Sequence, residues 1–203
     1  MPGFDFHCPL LSLPLALATR LATIPSTTPY LRAPSRASNT WKERLGPKDR
    51  RRIGLVWSGN PAHKNDSNRS ISLSSLLPLL DVNATFISLQ KHVRADDAVT
   101  LKARSDLLHF GEELQDFSDT AALISCLDLV ISVDTSVAHL AGALERAVWV
   151  LQPFIPDWRW LLDRDDNPWY PTARLFRQDE TRVWDNVIAC VQTALHDLVQ
   201  SRS

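Results

Sequence analysis

From residue 53 onward, short apolar runs alternate with stretches of helical spacing, and this alternation restricts the fold more than any other feature of the chain. Residues 53–57, 84–89, 107–110, 129–133 and 147–151 read as strands. Residues 72–80, 96–104, 120–127, 136–144 and 182–199 read as helices. Ser118 or Asp119 is the expected cap of the helix at 120–127. The last helix carries Val183, Val187, Val191, Ala194, Leu195 and Leu198 at helical spacing. Strands that are apolar along their length suit a parallel sheet covered on both faces, and helices between them make βαβ units. The expectation is an α/β fold, a Rossmann-like three-layer αβα parallel sheet over residues 51–203. Residues 1–50 are expected to form an N-terminal extension and basic linker.

Composition narrows the function. The 203 residues suffice for one domain, two at most. A 44% hydrophobic content builds a core and excludes a disordered chain. A net charge of −1 argues against a generally basic nucleic-acid binder. Arg32, Arg36, Lys42, Arg44, Lys48, Arg50, Arg51 and Arg52 do gather in one stretch, against Glu43 and Asp49. That stretch reads as a solvated linker with one helical turn around 41–45, or as a surface for an anion or partner. The three cysteines, Cys8, Cys126 and Cys190, are odd in number and far apart, so a reducing, cytoplasmic compartment is expected. The apolar run at 9–18 is about half of the roughly 20 residues that span a bilayer, and Pro14 interrupts it. No Lys or Arg precedes it, which argues against a signal peptide; a loop or short helix packed on the body is expected.

In parallel α/β sheets, ligands bind beyond the carboxyl ends of the strands. After the first strand, Ser58 and Gly59 allow a tight turn with free N–H groups, and Lys64 and Arg69 add positive charge. This suits a phosphate loop, although it lacks the GxxxxGK[ST] and GxGxxG patterns; an ordinary polar loop is the alternative. After the second strand, Gln90 is placed to hydrogen-bond a base or sugar, or simply to end a strand. After the fourth, Asp134, Thr135, Ser136 and His139 crowd the start of a helix, where free N–H groups and the dipole favour an anion. A capping Asp and a core His would be the ordinary alternatives. After the fifth strand, residues 153–171 hold three of the seven tryptophans, Trp158, Trp160 and Trp169, with Arg and Asp interleaved. This segment reads as a loop closing over a site, or as one whose aromatics merely pack.

Taken together, Gly54-Leu-Val-Trp-Ser-Gly-Asn60, Arg69-Ser-Ile71, Ser88-Leu-Gln90 and Asp116-Phe-Ser-Asp-Thr-Ala121 carry a resemblance. So do residues 127–144 around Asp134-Thr-Ser-Val-Ala-His139, then Pro156-Asp-Trp-Arg-Trp160, Pro168-Trp-Tyr-Pro171 and Leu175-Phe-Arg-Gln178. The chain resembles the C-terminal half of family 9, heptosyltransferase-like glycosyltransferases. More narrowly, it resembles the glycosyltransferase part of bacterial tetratricopeptide-repeat glycosyltransferases. The resemblance implies the C-terminal domain of a GT-B fold that binds a nucleotide-diphosphate sugar, with no metal and no other cofactor. It implies that Asp134 contacts the donor sugar and that His139 assists on the same face. Thr135 and Ser136 would hold the diphosphate; Ser58, Gly59, Asn60 and Lys64 would form the opposing loop, with Arg69 among the binding residues. Gln90, Asp119 and Thr120 would lie near the nucleoside.

Two departures stand out. Ser136 replaces a frequent glycine, and the N-terminal half that supplies the acceptor site and general base is missing, so a second chain or domain is expected to provide them. The sequence therefore reads as a donor-binding glycosyltransferase domain. The alternatives are a non-catalytic nucleotide-sugar-binding remnant and a protein-interaction domain that uses the Trp-rich loop and the basic stretch. No nucleic acid and no transmembrane segment are expected.

Overall fold

The computed structural model describes residues 3 and 5–201. Its strands are β1 (Arg52–Val56), β2 (Thr85–Ser88), β3 (Leu107–His109), β4 (Leu129–Val133), β5 (Val148–Gln152) and β6 (Ala173–Arg177). They form one sheet in the order β3-β2-β1-β4-β5-β6, with every strand pairing parallel. This is the doubly wound order, in which the chain reverses direction across the sheet between β1 and β4. The expected α/β class and parallel sheet are what the structure has. The sixth strand escaped the periodicity reading because Ala-Arg-Leu-Phe-Arg at the sheet edge is neither continuously apolar nor long.

The helices are α1 (Leu13–Ala16), α2 (Ser35–Leu45), α3 (Asp66–Arg69), α4 (Leu73–Leu76), α5 (Ala95–Ala103), α6 (Phe117–Ile124), α7 (Ser136–Ala143) and α8 (Trp184–Gln200). Alternate residues of the strands feed two cores. Val56, Ile87, Val130 and Val150 pack with α2, α6 and α7. Ile53, Leu55, Ile131 and Leu151 pack with α4 and α8. Ile53, Leu55, Val130 and Val150 are fully buried, as strands covered on both faces require. Trp57, just past β1, is also fully buried, and its indole N–H donates to Asp97 at 2.9 Å.

Three local expectations change. The helix expected over 72–80 is one α-turn, α4, followed by a 3-10 segment at Leu77–Asp81, because Pro78 cannot donate the next helical hydrogen bond. The cap of α6 is Asp116, whose carboxylate accepts from the N–H groups of Ser118 and Asp119. The basic stretch contains a full helix, α2, that buries Trp41. Arg52 Nη2 donates to the carbonyls of Leu45, Gly46 and Pro47, which ties the end of α2 to the first residue of β1.

Residues 9–18 are helical in part but do not pack on the body: Leu10, Leu11, Leu15 and Leu17 are exposed. The chain reaches the body at Tyr30 and Leu31, whose N–H groups both donate to the carbonyl of Ala143. Among the described residues, no helix is long and apolar enough to cross a membrane. The three cysteines are free, with Cys126 buried and the other two exposed.

Candidate functional site

A cavity of about 950 Å³ opens beyond the carboxyl ends of β1, β2 and β4, at the reversal point of the sheet. Its lining includes Ser58, Gly59, Asn60, Arg69, Gln90, Thr120, Thr135 and Ser136 from the residues expected by sequence. Two helices, α6 and α7, begin beside it, and their first turns differ. The N-terminus of α6 is closed by the Asp116 carboxylate, at 2.7 Å from the Ser118 N–H and 3.0 Å from the Asp119 N–H. The N-terminus of α7 is left open. Its cap, Thr135, turns its hydroxyl to Ser132 at 3.0 Å, and the N–H groups of Ser136 and Val137 meet no acceptor among the described residues. A helix start with unmet donors carries a partial positive charge.

Basic side chains stand around that open end. Arg69 Nη1 donates to the carbonyl of Asp134 at 2.7 Å and so links the loop after β1 to the loop after β4. Gly59 permits this course: a Cβ there would lie 2.5 Å from Arg69 Nη2. Asp66, almost fully buried, pairs with both Arg69 and Arg94 and accepts from the Ser70 hydroxyl. One buried carboxylate thus holds two guanidinium groups at the rim, and their combined charge exceeds its own. Lys91 completes the basic side. Sequence reasoning passed over Lys91, His92, Arg94 and Asp66. The local signal for Arg94, a cation shortly after β2, gives no hint that it reaches back to Asp66.

The other expected residues fall in different places. Gln90 lines the cavity, yet its side chain is saturated. Oε1 accepts from the N–H groups of Trp57 and Ser58, and Nε2 donates to the carbonyls of Ser58 and His92. It braces the loop after β1 and has no capacity left for a base. Thr120 is likewise engaged, donating to the Asp116 carbonyl at 2.9 Å. Asp119 accepts from the Gln115 N–H and lies outside the lining, and exposed Lys64 does not line the cavity either. Ser58 Oγ is buried without a partner at the cavity wall.

Asp134 and His139 sit toward the other side of α7. The Asp134 carboxylate is 3.9 Å from His139 Nε2, too far for a hydrogen bond. His139 Nδ1 meets the Tyr170 hydroxyl at 3.1 Å, and its ring stacks on Trp160 with centroids 4.9 Å apart. Burial pushes the His139 pKa below its ordinary value despite Asp134 nearby, so the ring is neutral at pH 7. His139 lines a second cavity, of about 300 Å³, with the aromatic residues of the loop after β5. Among the described residues, no group of three or more His, Cys, Asp or Glu is placed to hold a metal ion.

Comparisons with known proteins agree with this arrangement. Residues 114–151, which span α6, β4, α7 and most of β5, match the model of glycosyltransferase family 9 (heptosyltransferase). The chain is 26% identical over 207 residues to Protein FlbA of Caulobacter vibrioides, covering 98% of this chain and 34% of that protein. It superposes on ADP-heptose lps heptosyltransferase II of E. coli with a TM-score of 0.62 at 16% identity, over 87% of this chain and 55% of that one. The chain therefore spans about a third of one relative and about half of the other, and the second likeness is one of fold. The family match lies in the α6–β5 segment, and the likeness to the solved structure is one of fold.

Proposed function

We propose that residues 51–203 bind a nucleoside-diphosphate sugar in the strand-end cavity and form the donor side of a metal-independent glycosyl transfer. The observation that carries this reading is the open N-terminus of α7, set opposite Arg69 in a cavity large enough for a nucleotide. The diphosphate lies against the N–H groups of Ser136 and Val137, with Arg69, Arg94 and Lys91 supplying the countercharge that a metal supplies elsewhere. In the transfer, an acceptor hydroxyl oxygen bonds to the anomeric carbon as the bond to the diphosphate oxygen breaks. Negative charge grows on the leaving diphosphate, where the α7 donors are already fixed and need no rearrangement. Asp134 directly precedes the cap of α7 and neutral His139 lies one helical turn along it, on the side where the sugar would project. The acceptor site, and the base that takes the acceptor's proton, belong to a second lobe in the same or another polypeptide.

Calorimetry with UDP, GDP, ADP and their sugars tests this. One base series binds at micromolar to low millimolar concentration, unchanged by EDTA. Ser136→Glu, which puts a carboxylate at the α7 start, weakens binding by roughly tenfold or more, as the loss of an anion site requires. Absence of binding by every nucleoside diphosphate sinks the donor reading, and binding that EDTA abolishes sinks its metal independence. A second reading, a nucleotide-sugar binder that acts only when docked to another protein surface, draws support from the exposed Leu10, Leu11, Leu15 and Leu17.

A further inference from the structure

The leucine-rich segment ahead of residue 22 takes no part in the donor reading, and its surface asks for a cover. Phe6, Leu10, Leu11, Leu15, Leu17 and Leu21 are 58–93% exposed. The segment forms a 3-10 turn and the single α-turn of α1, and neither buries a residue. Between residues 6 and 23 the one Lys, Arg, Asp or Glu is Arg20. Among the described residues, the first main-chain hydrogen bonds that tie this end of the chain to the body are those of Tyr30 and Leu31. Residues 6–21 are therefore an arm, apolar and almost free of charge.

A second apolar surface lies in the loop after β5, where Phe154, Ile155, Trp158 and Leu162 are 41–67% exposed. Pro25, just past the arm, and Trp158 line one cavity, so the two surfaces reach the same side of the molecule. The arm leaves the loop of its own chain uncovered, since both stay exposed. At about 100 Å² for each side chain, the two surfaces together present on the order of 1,000 Å² of apolar area per copy. That exceeds the roughly 800 Å² that each partner gives to an interface of standard size, and exposed apolar area on this scale marks an interaction site. The charges match as well. Arg159 and Arg164 are paired with Asp157 and Asp166 at 2.8 and 2.6 Å. Asp163 and Asp165 form no ion pair among the described residues, so the loop is net negative where the arm carries one positive charge. Apolar, charge-depleted surface is the composition of homodimer interfaces, and a two-fold interface must be self-complementary. An arm and a loop on the same chain meet that condition, because each covers its counterpart on the other copy.

We propose that this chain forms a two-fold dimer in which the arm of each copy, residues 6–21, packs on the loop at residues 154–162 of the other. Exchanging an identical element buries both apolar surfaces at once and closes the assembly at two copies. Arg20 then lies toward the acidic end of the loop on the second copy. The dimer needs no nucleotide and stands apart from the donor reading.

Sedimentation of the full chain provides the test. Twice the chain mass is expected from low micromolar concentration upward. Leu11→Ser with Leu15→Ser on the arm weakens dimerisation by roughly a hundredfold or more, and so does Ile155→Ser with Leu162→Ser on the loop. All four positions are exposed, and an unchanged circular dichroism spectrum shows that the variants fold. Mixing the arm variant with the loop variant restores the dimer, because one arm–loop contact of the mixed pair is intact on both sides. A parent chain that stays monomeric at about 100 µM refutes the dimer; if that monomer binds phosphatidylcholine vesicles, the arm serves a lipid surface instead. A dimer that the arm variant leaves unchanged is seated elsewhere and refutes the proposal. A dimer lost in the arm variant and kept in the loop variant pairs arm with arm, which refutes the exchange, as does failure of the mixed variants to pair. Assemblies larger than two refute the closed two-fold arrangement.

Discussion

The two cavities flanking α7 are built by different means. The strand-end cavity is made largely of backbone. Its donors are the first N–H groups of a helix, its loop is braced by Gln90, and its charge is set by one buried carboxylate, Asp66, between two arginines. The aromatic pocket is made of side chains: Trp158, Trp160 and Trp169 from one loop, Tyr170 against Gly142, and Tyr30 from the N-terminal segment. A site of the first kind follows from the doubly wound sheet and survives most substitutions on its surface. A site of the second kind depends on each ring and is easily lost or changed.

Substitutions can separate the two. The largest effect is expected from Trp160→Ala. Trp160 is fully buried and stacks on His139, so its removal costs about 3–5 kcal/mol. Denaturant unfolding should show this loss, while the folded fraction still binds nucleoside diphosphate. Loss of nucleotide binding in that fraction would mean that the two cavities are one unit. Asp66→Ala is next, at about 3 kcal/mol, because it leaves Arg69 and Arg94 without their buried partner. Here the nucleotide binding proposed for the strand-end cavity should fail first, with Arg69 no longer held toward Asp134, and the aromatic pocket should keep its packing. Persistence of full nucleotide affinity would show that Asp66 does not organise that rim.

The smallest effect is a pH dependence belonging to the aromatic side. His139 has its pKa lowered by burial, against the opposing pull of Asp134 and Asp157, and Arg159 lowers it further. His109 is lowered likewise by burial. The unfolded chain takes up protons on these residues near the ordinary value of 6.5 and the folded chain does so only at lower pH. Their contribution to stability is therefore full above 6.5 and lost as pH falls below it. Between about pH 7.5 and 5.5, His139→Gln should lose less stability than the parent chain, since histidine titrates in this range and ordinary carboxylates do not. Equal losses would place His139 in a solvated setting.

Much of the strand-end cavity was legible in the sequence, because it sits where chain-local patterns meet. The run 129–133 is a strand whose end is marked by Asp134, and Thr135 and Ser136 begin a helix by residue type alone. Ser58, Gly59 and Arg69 follow the first strand in the same way. Residue type could not tell which polar groups remain available. Gln90 and Thr120 have the chemistry of ligand-binding groups and are engaged inside the protein. Asp116 rather than Ser118 or Asp119 caps α6, and that choice leaves α7 as the open helix.

The order of apolar runs and helical stretches by itself determined the α/β parallel class and the end of the sheet where the larger cavity opens. These follow from local periodicity and from the burial of strands on both faces. Tertiary structure alone decided that Arg69 and Arg94 share Asp66, that β6 closes the sheet edge, and that Tyr30 and Tyr170 meet over Gly142. Each of these unites residues far apart in the chain, and such contacts are set by how side chains fill space between packed elements. No window of sequence contains that information.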